Sequence, residues 1–190
     1  MSEIDNKKIP HSTFKKIGII SDTHKKVGRA KKAINMLLDN GAEFLIHAGD
    51  IGKEEILEYL EEVSVPYIAV LGNNDHKLVS LTEKYSLFKE PHYFTVNDIR
   101  IKLMHHPWFL SPDADLVIFG HTHKFSLECR HSGELYINPG EVCARNKPIS
   151  EAVILDIYDN TWEITYFRRR IKEVAWQYNK KICERVLEHV

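Results

Sequence analysis

Two segments decide the fold: residues 17–24, IGIISDTH, and residues 44–52, FLIHAGDIG, each of which ends a short apolar run at residue types that bind metals. Three further apolar runs end in the same way, at Asn73, at His105 and at His121 with His123. An apolar run bounded by glycine or polar residues is typical of a buried strand. Ligands of α/β folds gather at the carboxyl ends of such strands. The pattern therefore predicts both a sheet architecture and a metal site at its edge.

Length and composition are those of an ordinary globular domain. The chain has 190 residues, 43% hydrophobic and 28% charged, so we expect one domain with a substantial core. A formal net charge of −1 gives no general attraction for long nucleic acids or membranes, and no apolar run approaches the ~20 residues that cross a bilayer. Residues 1–15 are polar, without the apolar region of a signal peptide. We therefore expect a flexible leader over residues 1–15 and a single cytoplasmic domain over residues 16–190.

The number and spacing of the cysteines also favour a cytoplasmic location. Cys129, Cys143 and Cys183 are odd in number and show no CxxC spacing. This usage predicts reduced thiols in a reducing compartment, and neither a disulfide framework nor a thiolate metal site.

The first half of the chain alternates strands and helices. Strands are predicted over residues 16–21, 44–48 and 66–71, and a helix over residues 53–62. Another helix, between the first two strands, is indicated by helical spacing of apolar residues before an Asn40-Gly41 stop: Val27, Ala30, Ala33, Ile34, Leu37 and Leu38. This alternation predicts a parallel sheet with right-handed crossovers.

The second half is rich in strands. They are predicted over residues 92–96, 99–104, 116–119, 125–130, 135–137, 152–157 and 162–167, with tight turns at Asn97-Asp98 and Asp159-Asn160. Two mixed sheets packed face to face and flanked by helices, a four-layer αββα sandwich of the α/β class, accommodate both halves. An apolar stripe predicts a C-terminal helix over residues 168–189 that faces the core: Ile171, Val174, Ala175, Tyr178, Ile182 and Val186.

The donor types at the strand ends favour two divalent cations. Asp22 and His24 are two residues apart, as are His121 and His123, and such pairs point to one side of an extended chain. Imidazole, carboxylate and amide oxygen without thiolate suit Mn²⁺ first, with Fe²⁺, Ni²⁺, Zn²⁺ or Co²⁺ as alternatives. A carboxylate can bridge two cations, and Asp50, in the Gly49–Gly52 turn, is the natural bridge.

These motifs resemble those of the calcineurin-like metallophosphoesterases, and in size and order those of the small prokaryotic phosphodiesterase subfamily. The matching stretches, within residues 16–167, are Asp22-x-His24, Gly49-Asp50-x-Gly52, Gly72-Asn73-Asn74-Asp75, His105, Gly120-His121-Thr122-His123 and Asn138-Pro139-Gly140. The resemblance implies an αββα sandwich and two metal sites that share Asp50. It implies that Asp22, His24, Asp50 and His123 hold one cation, and that Asp50, Asn73, His105 and His121 hold the other.

Several positions depart from the family pattern. Asn74 stands where relatives carry His or Cys, and an amide cannot serve as a general acid. His76 and His106 are candidate substitutes, each more simply explained as a surface or outer-layer histidine. Glu141 replaces a usual Ser. Further expectations are that Arg145 reaches a substrate phosphate and that His47 lies behind the ligands. Trp108 and Phe109 either line an open rim of the site or pack beneath the loop that carries them.

The resemblance implies a phosphodiesterase that uses a metal-bridging hydroxide for in-line attack on phosphorus, with Asp50, Asn74 and Asp75 as catalytic residues. The expected partner is a small phosphate-ester substrate, and family analogy is compatible with a homodimer. Two alternatives stay open: a phosphomonoesterase or nucleotidase, and a protein-interaction scaffold of the same fold, similar to a retromer subunit.

Overall fold

The structure, a computed structural model, describes residues 14–108 and 110–185. Most of the predicted leader, residues 1–13, lies outside the described residues, as does Phe109. Among the helices that are described, none is long and apolar enough to cross a bilayer.

Two mixed β-sheets form the centre of the molecule. The first contains β1 (Lys16–Ile20), β2 (Phe44–His47), β3 (Tyr67–Val70) and β4 (Leu87–Phe88), while β5 (His92–Val96), β6 (Ile99–Leu103), β7 (Leu116–Ile118), β8 (Phe125–Cys129) and β9 (Leu135–Pro139) form the second. The chain then returns to the first sheet with β10 (Ile149–Ile157), β11 (Thr161–Arg170) and β12 (Gln177–Glu184). The strand orders are β12-β11-β10-β1-β2-β3-β4 and β5-β6-β7-β9-β8.

The strand directions bring the predicted ligand loops to one end of the sandwich. β1 pairs in parallel with β2, and β2 with β3, as the strand–helix alternation predicts. In the second sheet β6, β7 and β9 are parallel neighbours. Because parallel strands end at the same edge, the loops that follow β1, β2, β3, β6 and β7 can converge.

The sheets pack face to face through a continuous apolar core. Phe44 of β2 is fully buried and its ring lies 6.3 Å from that of Phe94 on β5 in the other sheet. Phe44 and Phe94 belong to one cluster of buried apolar residues, which also contains Ile17 of β1, Ile101 of β6 and Ile118 of β7. The two mixed sheets of the predicted sandwich are confirmed.

Two helices cover the outer face of the first sheet. Helix α1 (Val27–Asp39) buries Ala30, Ala33, Ile34 and Leu37, the stripe that predicts it, and ends where Gly41 adopts a φ of +86°. Helix α2 (Glu54–Glu62) buries Ile56, Leu57 and Leu60 beside it. A 3-10 helix, His76–Leu81, follows β3 and buries Leu78. On the outer side of the second sheet, Met104 and Ala114 pack against Val117, Phe119 and Tyr136.

The predicted C-terminal helix over residues 168–189 is wrong over residues 168–185, and residues 186–189 lie outside the described residues. Residues 168–170 complete β11, and β12 pairs with it in antiparallel register from Thr161↔Glu184 to Arg168↔Gln177. Val174 of the supposed core stripe is 95% exposed. The apolar spacing of this stretch is helical, but in the strand Tyr178 and Ile182 are exposed and Cys183 is buried. Pairing with the edge of the long β11 strand decides the structure, because tertiary pairing overrides local pattern.

The prediction of three reduced thiols is also wrong, since Cys129 and Cys183 form a disulfide. Cys129 ends β8 and Cys183 lies on β12, so the bond links the edges of the two sheets across a sequence separation of 54 residues. Linear spacing cannot reveal such a pair. The cysteines therefore give no support to a cytoplasmic location, which remains a prediction.

Replacing Phe44 by alanine removes the ring that joins the two sheets, and we expect the free energy of unfolding to fall by about 3–5 kcal/mol. Urea denaturation measures the change. Val174→Ala is the control, with an expected change within about 0.5 kcal/mol because the residue is exposed. Equal effects of the two substitutions would contradict the assignment of the core.

Candidate metal centre

Unusual backbone geometry marks the loops that carry the predicted ligands. Positive φ angles occur at five of the seven ligand positions: Asp22 (53°), His24 (41°), Asp50 (56°), His121 (66°) and His123 (58°). Only a few per cent of non-glycine residues adopt such angles. Hydrogen bonds between loops hold them, for example from Asp22 N–H to the Gly49 carbonyl at 3.0 Å. Strain of this kind collects at functional sites.

The first donor set converges on one small volume. His24 Nε2 lies 3.1 Å from His123 Nε2, 3.3 Å from Asp50 Oδ2 and 3.6 Å from Asp22 Oδ1. Asp22 Oδ1 is in turn 3.2 Å from His123 Nε2. All four side chains that the family resemblance assigns to the first cation are therefore together.

The second donor set lies beside the first and shares Asp50. Asn73 Oδ1 is 3.1 Å from both His105 Nε2 and His121 Nδ1. His105 Nε2 is 3.4 Å from Asp50 Oδ2, the oxygen that also faces His24. The structure thus brings all seven predicted positions together, with one carboxylate between two groups of donors.

These distances fit a shared cation in each set. Ligand atoms about 2.1 Å from one ion stand about 3.0–3.4 Å apart in octahedral or tetrahedral coordination. Asp22 Oδ1 is buried and has no hydrogen-bond partner among the described residues, although buried oxygens are normally paired.

The histidine tautomers fit a cation as well. His105 Nδ1 lies 2.8 Å from the Ala48 carbonyl, which can only accept a hydrogen bond. The neutral ring therefore turns the lone pair of Nε2 towards Asn73 Oδ1 and Asp50 Oδ2, which are themselves acceptors. A positive charge between these atoms turns their repulsion into attraction.

Proton binding and cation binding compete for these donors. Burial opposes ionisation of Asp50, but hydrogen bonds from a protonated His105 and from Asn74 hold the pKa of its carboxyl well below the usual value. Burial also acts against a charged His105, yet the neighbouring Asp50 carboxylate raises the pKa of that imidazole. Burial, followed by the nearby His105 and His106, lowers the pKa of His121, and this direction favours the neutral imidazole that a cation would need.

The two other residues predicted to be catalytic, Asn74 and Asp75, make different contacts: Asn74 binds Asp50 directly, and Asp75 binds the backbone of the neighbouring loops. Asn74 donates from its backbone N–H to Asp50 Oδ1 at 2.8 Å and from Nδ2 to Asp50 Oδ2 at 2.7 Å. Asp75 is buried and accepts the backbone N–H groups of Ile51, Gly52 and Gly72 at 2.7–3.0 Å. It ties the loop after β3 to the loop after β2, so it positions the site.

Three further histidines that the sequence analysis names, His47, His76 and His106, lie outside the donor sets. His47 contacts Thr23 Oγ1 at 3.0 Å, and burial lowers the pKa of its ring to about 4. His106 Nδ1 lies 2.5 Å from Glu90 Oε1, and its ring packs 4.5 Å from the His121 ring. His76 is exposed at the start of the 3-10 helix.

Sequence reasoning missed the carboxylates behind the ligands. Glu141 Oε2 lies 2.6 Å from His123 Nδ1, so the ring presents Nε2 to the first donor set. Glu90 accepts the backbone N–H groups of His105 and His106. Cys143 also lies near His123, and burial first and Glu141 second raise the pKa of its free thiol to about 12. For Glu141, the one sequence signal of this role was the presence of a charged residue directly after the Asn138-Pro139-Gly140 turn.

Five of the seven donors line an open cavity of about 290 Å³. They are His24, Asp50, Asn73, His121 and His123, and Asn74 and Arg145 also line the cavity. Contact of Arg145 with a substrate phosphate remains a prediction. Trp108 is 71% exposed and stacks on His106 at 4.1 Å, which agrees with an aromatic rim on that side.

Comparison with known proteins gives the class. Residues 16–160 match the family model for the calcineurin-like phosphoesterase superfamily domain. The chain therefore belongs to this superfamily and is a metallophosphoesterase, an enzyme that hydrolyses phosphate esters.

Individual relatives agree with this membership. A phosphodiesterase of Methanocaldococcus jannaschii is 33% identical over 154 residues, which cover 74% of this chain and 92% of the relative. A probable metallophosphoesterase of the same organism is 31% identical, over 75% of this chain and 76% of the relative.

Among solved structures, an archaeal phosphodiesterase superposes with a TM-score of 0.69 at 29% identity, covering 88% of this chain and 99% of the other. Vacuolar protein sorting 29 from Cryptosporidium parvum gives a TM-score of 0.73 over 92% of this chain and 100% of the other, but at 17% identity it shows the fold alone.

Gly49→Ala tests the packing beneath the second donor set. An added Cβ would lie 2.7 Å from His105 Nδ1 and 2.8 Å from both Cβ and Cγ of His105, at a φ of +86° that disfavours alanine. We expect at least a tenfold weaker affinity for Mn²⁺ by titration calorimetry, because His105 must move. Gly28→Ala on α1 is the control: its Cβ meets nothing within 4 Å, so Mn²⁺ affinity should not change. Unaltered Mn²⁺ binding by the Gly49 variant would argue against His105 as a ligand.

Proposed function

We propose that this protein is a dinuclear-metal-dependent phosphodiesterase with Asp50 as the bridging ligand. The observation that carries the proposal is the convergence of seven donors into two sets around one carboxylate oxygen, Asp50 Oδ2. The similarity to proteins named phosphodiesterases supports the diester substrate class.

The protein's own groups prepare the site for a phosphate ester. Two divalent cations, when bound, supply positive charge for the phosphate oxygens and acidify a water molecule at neutral pH. Asn74 fixes the orientation of Asp50 through both of its donors. Arg145, at the side of the cavity, offers a guanidinium fork to a phosphate oxygen.

At the position of Asn74, the site lacks a general acid that could protonate the leaving group. Asn74 stands where a proton donor is expected, and an amide cannot donate a proton to an alkoxide. We therefore propose a preference for diesters with good leaving groups, such as aryl esters. We propose Mn²⁺ as the bound metal. We also propose that the protein is cytoplasmic and forms a homodimer.

The scaffold alternative has one observation in its favour, the fold-level likeness to sorting proteins. A scaffold has no physical use for seven donors that repel one another, whereas a hydrolase requires them. Pull-down of a stable protein partner by a preparation that binds no metal would favour the scaffold.

Asp50→Asn should lower the turnover of bis(p-nitrophenyl) phosphate with Mn²⁺ by more than about 100-fold, since it weakens both cation sites at once. Steady-state hydrolysis measures the effect, and circular dichroism establishes that the variant is folded. Asp39→Asn, at the exposed end of α1, serves as the matched control and should keep full activity. A wild-type protein that hydrolyses no diester with Mn²⁺, or an Asp50 variant that stays active, would refute the proposal.

A further inference from the structure

Glu141 is a fully buried carboxylate at the centre of a turn, and nothing in the chemistry proposed above requires a charge there. Its relative exposure is 0%. Besides His123 Nδ1, Oε2 accepts the backbone N–H of Arg145 at 3.0 Å and the Cys143 thiol at 3.1 Å. Oε1 accepts the N–H groups of Asn146 at 2.9 Å and Lys147 at 2.8 Å. Residues 142–147, here called the Arg145 loop, therefore wrap around this carboxylate.

The Arg145 loop is also attached to the strand end that carries Asp22. Val142 N–H donates to the Ser21 carbonyl at 3.1 Å, and Cys143 N–H to the Asp22 carbonyl at 3.0 Å. Ala144 adopts a φ of +51°, which turns the chain so that Arg145 enters the cavity. The loop thus joins a metal-ligand segment to a substrate-facing guanidinium.

The two buried ligand histidines have different partners behind them. His105 donates to a neutral carbonyl, that of Ala48, whereas His123 faces the Glu141 carboxylate. A carboxylate behind a metal-binding histidine fixes the ring and raises the basicity of the ligating nitrogen. Buried charge is costly unless it is fully hydrogen-bonded, and the backbone N–H groups of the Arg145 loop satisfy the rest of Glu141. The same carboxylate therefore contacts both His123 and the backbone of the Arg145 loop.

We propose, on the basis of the proposed function, that Glu141 is a positioning residue that couples cation binding through His123 to the placement of Arg145 against the substrate phosphate. A glutamine at this position is a poor substitute, because its amide nitrogen carries protons towards N–H groups that need an acceptor.

The test compares Mn²⁺ binding and inorganic phosphate binding by titration calorimetry in wild type, Glu141→Gln, Arg145→Ala and the double variant. We expect Glu141→Gln to weaken one of two Mn²⁺ sites by about 10–100-fold. At saturating Mn²⁺, we expect it to weaken phosphate binding as much as Arg145→Ala does. Arg145→Ala should leave Mn²⁺ affinity unchanged, and the double variant should bind phosphate no worse than Glu141→Gln, because coupled residues are non-additive.

Glu151→Gln is the matched control. Glu151 is 1% exposed and accepts the Glu141 N–H at 3.2 Å, but His123 is not among its partners. Its variant should keep the Mn²⁺ affinity of the wild type. If Glu141→Gln does not fold, Glu141→Asp takes its place, since it keeps the charge but is too short to hold the loop and His123 together.

Wild-type Mn²⁺ affinity in the Glu141 variant, or an additive loss of phosphate binding in the double variant, would overturn the coupling. Both readouts are independent of hydrolysis. A wild-type protein that binds Mn²⁺ and phosphate but cleaves no diester would therefore refute the proposed function and leave this inference to be decided by the calorimetry.

Discussion

Mutual repulsion among the donor atoms is the constraint on which the rest of the structure depends. Lone pairs of carboxylate, amide and imidazole groups face one another across 3.1–3.6 Å at the ends of buried strands. Such an arrangement costs free energy in the metal-free protein. Cooperative packing of the two sheets holds the donors in place, so the core stabilises a site that would not assemble by itself.

The strand ends meet closely because little side-chain volume separates them. A Cβ on Gly120 would lie 2.1 Å from Ser21 Oγ and 2.6 Å from the Ala48 carbonyl oxygen, so only glycine allows the two sheets to approach there. Behind the donors, Asp75 and Glu141 accept backbone N–H groups and fix the loops that carry them. The buried carboxylates at this end of the sandwich thus have two tasks. Those of the donor set are placed to bind cations, whereas Asp75 and Glu141 hold the loop backbone through hydrogen bonds.

Most of the fold and the donor set could be predicted from the sequence because both follow from local pattern. Apolar runs predicted β1 to β3 to within a residue or two of their ends, and the residue after each run located the site. Features that depend on distant segments could not be predicted. The C-terminal segment pairs with β11 as β12, and Cys183 reaches Cys129 only because that strand lies at a sheet edge. The contacts of Glu141 could not be predicted from apolar periodicity, since they come from a turn whose backbone folds around the carboxylate.

The most direct test of the account is a crystal structure of the Mn²⁺-loaded protein with anomalous data at the manganese edge. The account predicts two peaks about 3.5–4 Å apart. One would lie among Asp22, His24 and His123, the other among Asn73, His105 and His121, with Asp50 between them. Peaks elsewhere on the surface, or no peak in this cavity at saturating Mn²⁺, would contradict it.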